Sequence, residues 1–350
     1  MINIQRNFYI DNIIKELPKI NLKNIKKLPY VENIVYFRNN NKINIYFLDI
    51  DKYKSLKTFI KSMKKIDEKT KITFLIPISK NKKKIDKIES FFISSINLVF
   101  INIYKIGVKK CIDIKREHIF SSYLTVNLQI ELSKILKKYV NLILLNDVRL
   151  LAIDLDDTLW QGILGEDGIN KIKLNLYQKK SIEILNNLSK KGFLISIHSK
   201  NNEKEALKAI NLKFKKNKYF LKNSLKFINW DSKASSVKKA IKLVNFSNLN
   251  AIFLDDNISE VKQVEEVLPK NNVFWCNSAT LLFNVCKIIN FINLKKTHNP
   301  NRSKDIRANV LRSKITEKQG IVSYLKEARL KILIKKDSKI NIRRCSELSK

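Results

Sequence analysis

The 350-residue chain has little of what punctuates or cross-links a fold: six glycines, five prolines and four cysteines. Cys111, Cys276, Cys286 and Cys345 lie far apart, with no CxxC pair. That spacing excludes a disulfide framework and a zinc site. There is no Gly-rich phosphate loop and no Gly-Asp-Ser nucleophile motif. No apolar run approaches the roughly 18 residues that a membrane helix needs. The opening MINIQRNFYIDN lacks a basic-then-apolar leader and a small-residue cleavage site. The expected location is therefore cytoplasmic, with no membrane partner. Arginine is scarce as well, supplying 10 of the 69 basic residues, so lysine dominates the net charge of +37. Abundant Lys, Asn and Ile beside only 9 alanines is the composition that AT-rich codons produce. The charge reads chiefly as solvated surface: it steers acidic partners, and nucleic acid is not the expected one.

Apolar residues make up 44% of the chain, enough for a real core and for two domains. Residues 1–40 read as a polar lead-in. Strands are expected at 43–50, 72–78 and 97–104, separated by helices at 54–66 and 82–93, with another helix at 122–138. A clearer strand–helix alternation follows, with strands at 149–154, 193–199, 250–256 and 272–276. Its helices include 177–192, with Gly192 suited to the C-terminal cap, and 231–244, with Asp231 as N-cap. Residues 304–328 read as helix and 329–336 as strand, and the final RCSELSK opens another helix. The expected class is α/β, a Rossmann-like three-layer sandwich. The expected domains are 1–146, a smaller α/β unit, 147–295, the catalytic unit, and 296–350, an incomplete α+β segment.

The stretch AIDLDDTLWQGILGEDG places three acids within four residues, directly after an apolar strand. Three carboxylates so close repel unless a cation sits among them. Asp154, Asp156 and Thr158, then Ser199 with Lys200, then Lys233, then Asp255 with Asp256, all fall at or just after the C-terminal ends of expected parallel strands. Ligands of open α/β sheets bind at that edge. Asp154, Asp156, Asp255 and Asp256 are hard oxygen donors that suit Mg²⁺. Ser199 can bond a phosphate oxygen, and Lys233 can neutralise its charge. Such a set suits phosphoryl transfer, with Asp154 as nucleophile and Asp156 as acid and base. Trp160 and Trp230 suit core or pocket wall equally. Cys276 and Cys286 read as packing residues, and His118 and His298 as surface or structural ones.

The set DLDDTLW, SK, K and LDD resembles the haloacid dehalogenase (HAD) superfamily of aspartate-nucleophile phosphatases. IDLDDTLWQGILGEDG, SKNN, NWDSKASSV and FLDDNISE narrow the likeness to its FkbH-like branch, and IRANVLRSK resembles that branch's C-terminal region. The resemblance covers about residues 147–350. Residues 1–146 more weakly resemble the SGNH-like domain that precedes the phosphatase unit in longer members. The resemblance implies Mg²⁺, an acyl carrier protein partner and a 1,3-bisphosphoglycerate-like substrate, whose glyceryl unit is loaded onto the carrier for polyketide assembly. It implies metal binding by Asp154, the Asp156 carbonyl and Asp255, with Asp256 in support. It implies phosphate contacts from Ser199, Lys200, Asn201 and Lys233, and a flexible loop shaped by Gly162, Gly165 and Gly168, with Trp160, Glu166 and Asp167 beside the substrate. His198 stands where the family often has the Cys that carries the acyl group. A histidine cannot hold a stable thioester. Transfer is then direct to the carrier thiol, or based on His198, or lost, and His198 also suits simple packing beside its strand. A plain Mg²⁺ phosphatase, a non-catalytic remnant and a nucleic-acid end phosphatase are the rival readings.

Overall fold

The computed structural model describes residues 2–17, 25–30, 34–35, 37, 42–66, 71–95, 97–120, 122–145, 147–294 and 305–306. Its elements run β1 (Ile2–Arg6), α1 (Asp11–Lys15), β2 (Ile25–Tyr30), β3 (Ile43–Asp49), α2 (Leu56–Lys64), β4 (Ile72–Ile78), α3 (Lys82–Phe92), β5 (Leu98–Phe100), α4 (Lys115–Phe120) and α5 (Val126–Leu145). They continue with β6 (Leu150–Ile153), α6 (Leu164–Lys171), α7 (Leu176–Lys190), β7 (Leu194–Ser199), α8 (Glu203–Lys213), α9 (Lys218–Asn223), β8 (Leu225–Ile228), α10 (Lys233–Val244), β9 (Ala251–Asp255), α11 (Ile258–Val264), β10 (Val273–Trp275) and α12 (Ala279–Ile292).

The strands form two wholly parallel five-stranded sheets, ordered β2-β1-β3-β4-β5 and β10-β9-β6-β7-β8. The chain is therefore α/β, as its strand–helix alternation predicts. The second order is Rossmann-like, and it reverses direction between β6 and β9, where such sheets open a ligand crevice. Residues 1–303 pack as one compact unit. A single apolar cluster takes in Ile45 and Phe74 of the first sheet, Leu151 and Ile195 of the second, and Leu132, Ile182 and Val285 of α5, α7 and α12. Tyr139 of α5 stacks on Phe74 at 6.0 Å and on Phe274 at 6.5 Å, so one ring touches a strand of each sheet. The other face of the first sheet is closed by Phe59, Met63, Ile85 and Ile88 of α2 and α3. Among the described residues no helix is long and apolar enough to cross a membrane.

Three local expectations need correction. Residues 2–6 and 25–30 are strands, not a polar lead-in. Asn3 and Gln5 are buried and hydrogen-bonded, Asn3 Nδ2 donating to Asn44 Oδ1 at 2.8 Å and Gln5 Oε1 accepting from Val35 N at 2.8 Å. Paired in this way, amides cost little to bury, although the sequence pattern counts them as solvated. The N-cap of α10 is Ser232, whose side chain accepts from Ser235 N, while Asp231 pairs with Lys239 at 3.0 Å. Finally, β8 and α12 were not anticipated. The α12 sequence ATLLFNVCKIINFI is apolar almost all round, so it lacks the polar stripe that marks a surface helix. The helix and strand expected at 304–336 lie outside the described residues, save 305–306.

Candidate active site

β6 is LLAI, fully buried, and Asp154 follows it directly. Register pairs Ile153 with Leu254, and Asp154 N donates to Leu254 O at 3.0 Å, which sets Asp154 beside Asp255 at the end of β9. Lys233 enters from the first turn of α10. Its Nζ lies 2.8 Å from Asp154 Oδ1 and 2.7 Å from Asp255 Oδ2. Asp255 Oδ1 accepts from Asn257 N at 2.9 Å. Thr158 Oγ1 donates to Asp256 Oδ1 at 3.2 Å and accepts from Asp256 N at 3.1 Å, tying the two strand ends together. Residues about 100 positions apart thus meet at the sheet's switch point.

Asp154, Asp255 and Asp256 can each present an oxygen within 4.8 Å of the others. Burial, then repulsion from Asp255, pushes the Asp154 carboxyl well up. Burial pushes Asp255 up to about 6 against the pull of Lys233, and burial also raises Asp256. For Lys233, burial works against the charge, but Asp154 and Asp255 outweigh it and push the ammonium up. One ammonium faces three carboxylates, so negative charge is left over. A hard divalent cation such as Mg²⁺ fits that donor set and that surplus.

The Asp156 carboxylate is held elsewhere. Oδ1 accepts from Trp160 Nε1 at 2.8 Å and from Leu164 N at 3.1 Å, and Oδ2 accepts from Asn201 Nδ2 at 2.7 Å. Trp160 is fully buried and stacks near Phe214, so its indole fixes Asp156 from within the core. The chain then forms a flap. Gln161 and Lys173 exchange backbone hydrogen bonds of 2.8 and 3.1 Å at its base. Gly162 has φ +98, and a Cβ there would sit 2.8 Å from Asp167 Oδ2. That carboxylate accepts from Ile163 N at 2.9 Å, so only glycine fits the turn. Gly168, at φ +72, breaks α6, while Gly165 and Glu166 lie on its exposed first turn.

Ser199 ends β7, buried, and its Oγ accepts from Asn201 Nδ2 at 2.8 Å. The structure thus joins Ser199, Asn201 and Asp156 in one network. Lys200 is engaged by Glu260, Nζ to Oε1 at 2.6 Å. His198 lies on the same strand face as Ser196, whose Oγ is 2.8 Å from its Nε2, and its ring stacks on Phe227 at 5.0 Å. It has no solvent exposure. Burial, aided by Lys233, drives its pKa down to about 3, so the imidazole is neutral. Trp230 is 74% exposed and stands clear of the core. Glu260 and Trp275 were missed. Trp275 Nε1 donates to Asp256 O at 2.7 Å. Glu260 had a signal, being the acid in the first turn after Asp255 and Asp256; Trp275 had none beyond its strand end.

No family model and no curated protein matches the chain. Among solved structures, it is similar to the N-terminal part of a Bacteroides fragilis protein containing a phosphatase domain complexed with Mg, at 17% identity and a TM-score of 0.42, over 77% of this chain and 87% of that one. It is also similar to a putative 3-deoxy-D-manno-octulosonate 8-phosphate phosphatase from Vibrio cholerae, at 14% identity and a TM-score of 0.32, over 45% of this chain and 93% of that one. A hypothetical protein from Xanthomonas campestris aligns at 15% identity and a TM-score of 0.30, over 49% of this chain and 92% of that one. At such identities and scores the site stands on its own geometry.

Proposed function

We propose that the chain is a Mg²⁺-dependent phosphotransferase of the HAD type, FkbH-like in its motifs, acting on a 1,3-bisphosphoglycerate-like acyl phosphate and passing the glyceryl unit to an acyl carrier protein. The observation that carries the phosphoryl-transfer half is the buried Asp154–Lys233–Asp255 bridge, with Asp256 beside it. Asp154, Asp255 and Asp256 would hold the metal, which would supply charge neutralisation at the transferring phosphoryl group. Asp154 attacks the phosphorus of the phosphate ester, which leaves the acyl phosphate intact for the carrier thiol, whose attack on the carbonyl carbon expels phosphate; Lys233 opposes the protonation of Asp154 that burial favours. Ser199 and Asn201 offer hydroxyl and amide donors to phosphate oxygens. Asp156 gives its proton to the leaving oxygen and later takes one from water. To do so it leaves Asn201 and turns from the flap toward Asp154, so flap position and acid–base chemistry are coupled through Trp160 and Leu164.

A second reading, a plain phosphatase without acyl transfer, is favoured by the burial of His198. Cytoplasmic location and the three-part division at 146 and 295 belong to the proposal too. The test is incubation with 1,3-bisphosphoglycerate, Mg²⁺ and a phosphopantetheinylated carrier protein. The carrier should gain one glyceryl mass as phosphate is released. Phosphate release with an unmodified carrier selects the plain phosphatase. No release from any ester or acyl phosphate, with Asp154→Asn changing nothing, overturns both.

A further inference from the structure

A groove of about 740 Å³ runs between α5, β10 and the segment 106–110, a size usual for a small-ligand pocket. One wall is a face of α5, on which Asn127, Glu131, Lys134 and Lys138 recur three or four residues apart. From Asn127 to Lys138 that face is roughly 17 Å long. Phe274 and Trp275 of β10 line the groove as well. Trp275 is 44% exposed, and its Nε1 donates to Asp256 O at 2.7 Å, so the indole is fixed yet open to a ligand. The segment 106–110 joins the two walls. At Gly107, φ +84, a Cβ would sit 3.1 Å from Asn277 Nδ2, and Lys110 O accepts from Thr125 Oγ1 at 2.7 Å just before α5.

The groove is basic. Lys109, Lys110, Lys134 and Lys138 line it with one acid, Glu131, which Lys134 holds at 2.7 Å. Lys138 is half-buried. Its Nζ donates to Val273 O at 2.7 Å and sits 5.6 Å from the centre of the Phe274 ring. Among the described residues it makes no ion pair, and burial pulls its pKa down against the field of Glu265. An ammonium has three donors, so two remain after the carbonyl. The groove thus offers an excess of cations, a half-exposed indole and the side-chain amides of Asn127 and Asn277. Multiply charged phosphate suits the first, and a planar heterocycle with donors and acceptors on its edge suits the other two.

We propose that this groove binds a free nucleoside polyphosphate, with its base against Trp275 and its phosphates on the lysines. The length of the α5 face matches an extended nucleoside triphosphate. Asp154, Lys233, Asp255 and Asp256 are not among the lining residues, so a nucleotide held there is not presented to the nucleophile. The site is therefore independent of the phosphotransferase reading above.

The test is calorimetric binding to the full chain in chelator, so that no metal at Asp154 recruits the phosphates. ATP should bind more tightly than ADP, and ADP more tightly than AMP. Inorganic triphosphate lacks the base and adenosine lacks the phosphates, and each should bind about tenfold more weakly than ATP, equivalent to roughly 1.4 kcal/mol. Trp275→Leu should weaken ATP about tenfold and leave inorganic triphosphate unchanged. Lys138→Met should weaken both. Lys109→Ala combined with Lys110→Ala alters only exposed side chains, and should weaken ATP more than AMP. Asp154→Asn should bind ATP as wild type does, and that result upholds the groove even where no phosphate is released from any ester. Loss of ATP binding in Asp154→Asn puts the nucleotide at the carboxylate cluster and overturns the proposal. Equal binding of ATP and inorganic triphosphate, or ATP binding indifferent to all the groove variants, reduces the groove to basic surface and overturns it. A single-stranded oligoadenylate that binds more tightly than ATP at about 0.15 M salt overturns it in favour of nucleic acid.

Discussion

His198 gives the sharpest physical forecast. Its imidazole has no exposure, stacks on Phe227 and, among the described residues, bonds only Ser196, and burial lowers its pKa from 6.5 to about 3. As pH falls through 6.5, the unfolded chain takes up a proton that the folded chain refuses. Stability contributed by the neutral ring is therefore full above pH 6.5 and is lost progressively down to about 3. Linkage makes that loss about 2 kcal/mol between pH 7.5 and pH 5. His198→Phe keeps an aromatic partner for Phe227 but has nothing to protonate. It also orphans Ser196 Oγ, at a cost of roughly 1–3 kcal/mol that does not depend on pH. Comparing the two pH values cancels that cost. Urea unfolding of both proteins, each at pH 7.5 and pH 5, gives the double difference: wild type should lose about 2 kcal/mol more than the variant. Equal losses would refute the buried neutral imidazole.

Lys233→Met removes the ammonium bridging Asp154 and Asp255, so unfolding in chelator should show a loss of about 3–5 kcal/mol, partly recovered with Mg²⁺, and phosphate release should cease. Wild type should gain about 2.7 kcal/mol of stability at Mg²⁺ a hundredfold above its dissociation constant, seen as a rise in Tm. Asp255→Asn should abolish that rise. Trp160→Phe removes a donor to the Asp156 carboxylate worth roughly 1.5–3 kcal/mol, and should lower kcat about tenfold with the far-UV spectrum unchanged. Gly162→Ala forces a side chain against Asp167 at φ +98 and should strain the flap by roughly 1–3 kcal/mol, read as faster amide exchange across 161–173 and a raised KM.

Four strands of the second sheet, all but β8, were legible because parallel strands buried on both faces leave near-continuous apolar runs, such as LLAI, followed by Asp154, and AIFLD, ending in Asp255. The carboxylate cluster was legible for the same reason, since a polar residue type at the end of such a run has few other places to be. Legibility failed where polar residues are buried in pairs, as Asn3 with Asn44, or where the apolar pattern has no gap, as in α12. It failed also for partners fixed by tertiary geometry alone. Nothing in the sequence tells that Trp160 donates to Asp156, that Glu260 holds Lys200, or that Trp275 reaches Asp256.

The cysteines bear on whether an acyl group could rest on the enzyme. Cys276 follows β10, and its N donates to Asp255 O at 2.7 Å, so it is the described thiol nearest the carboxylate cluster by backbone contact. It is nonetheless buried, and burial, then Cys286, then Asp255 push its pKa well above the usual thiol value. A thiol in that field stays protonated and is a poor nucleophile. Cys286 is buried and raised to about 12, and Cys111 is buried and raised as well. His198 is fully buried, stacked on Phe227 and bonded to Ser196. Among the described residues, therefore, no thiol or imidazole is placed to carry an acyl group beside Asp154. If the chain transfers one without Cys345, which lies outside the described residues, the acceptor thiol comes from the partner and meets the substrate's acyl phosphate directly. Cys276→Ser and His198→Phe should then leave carrier loading within about twofold of wild type, a difference of roughly 0.4 kcal/mol. A covalent acyl-enzyme trapped on Cys276 by rapid quench and mass spectrometry would sink that route.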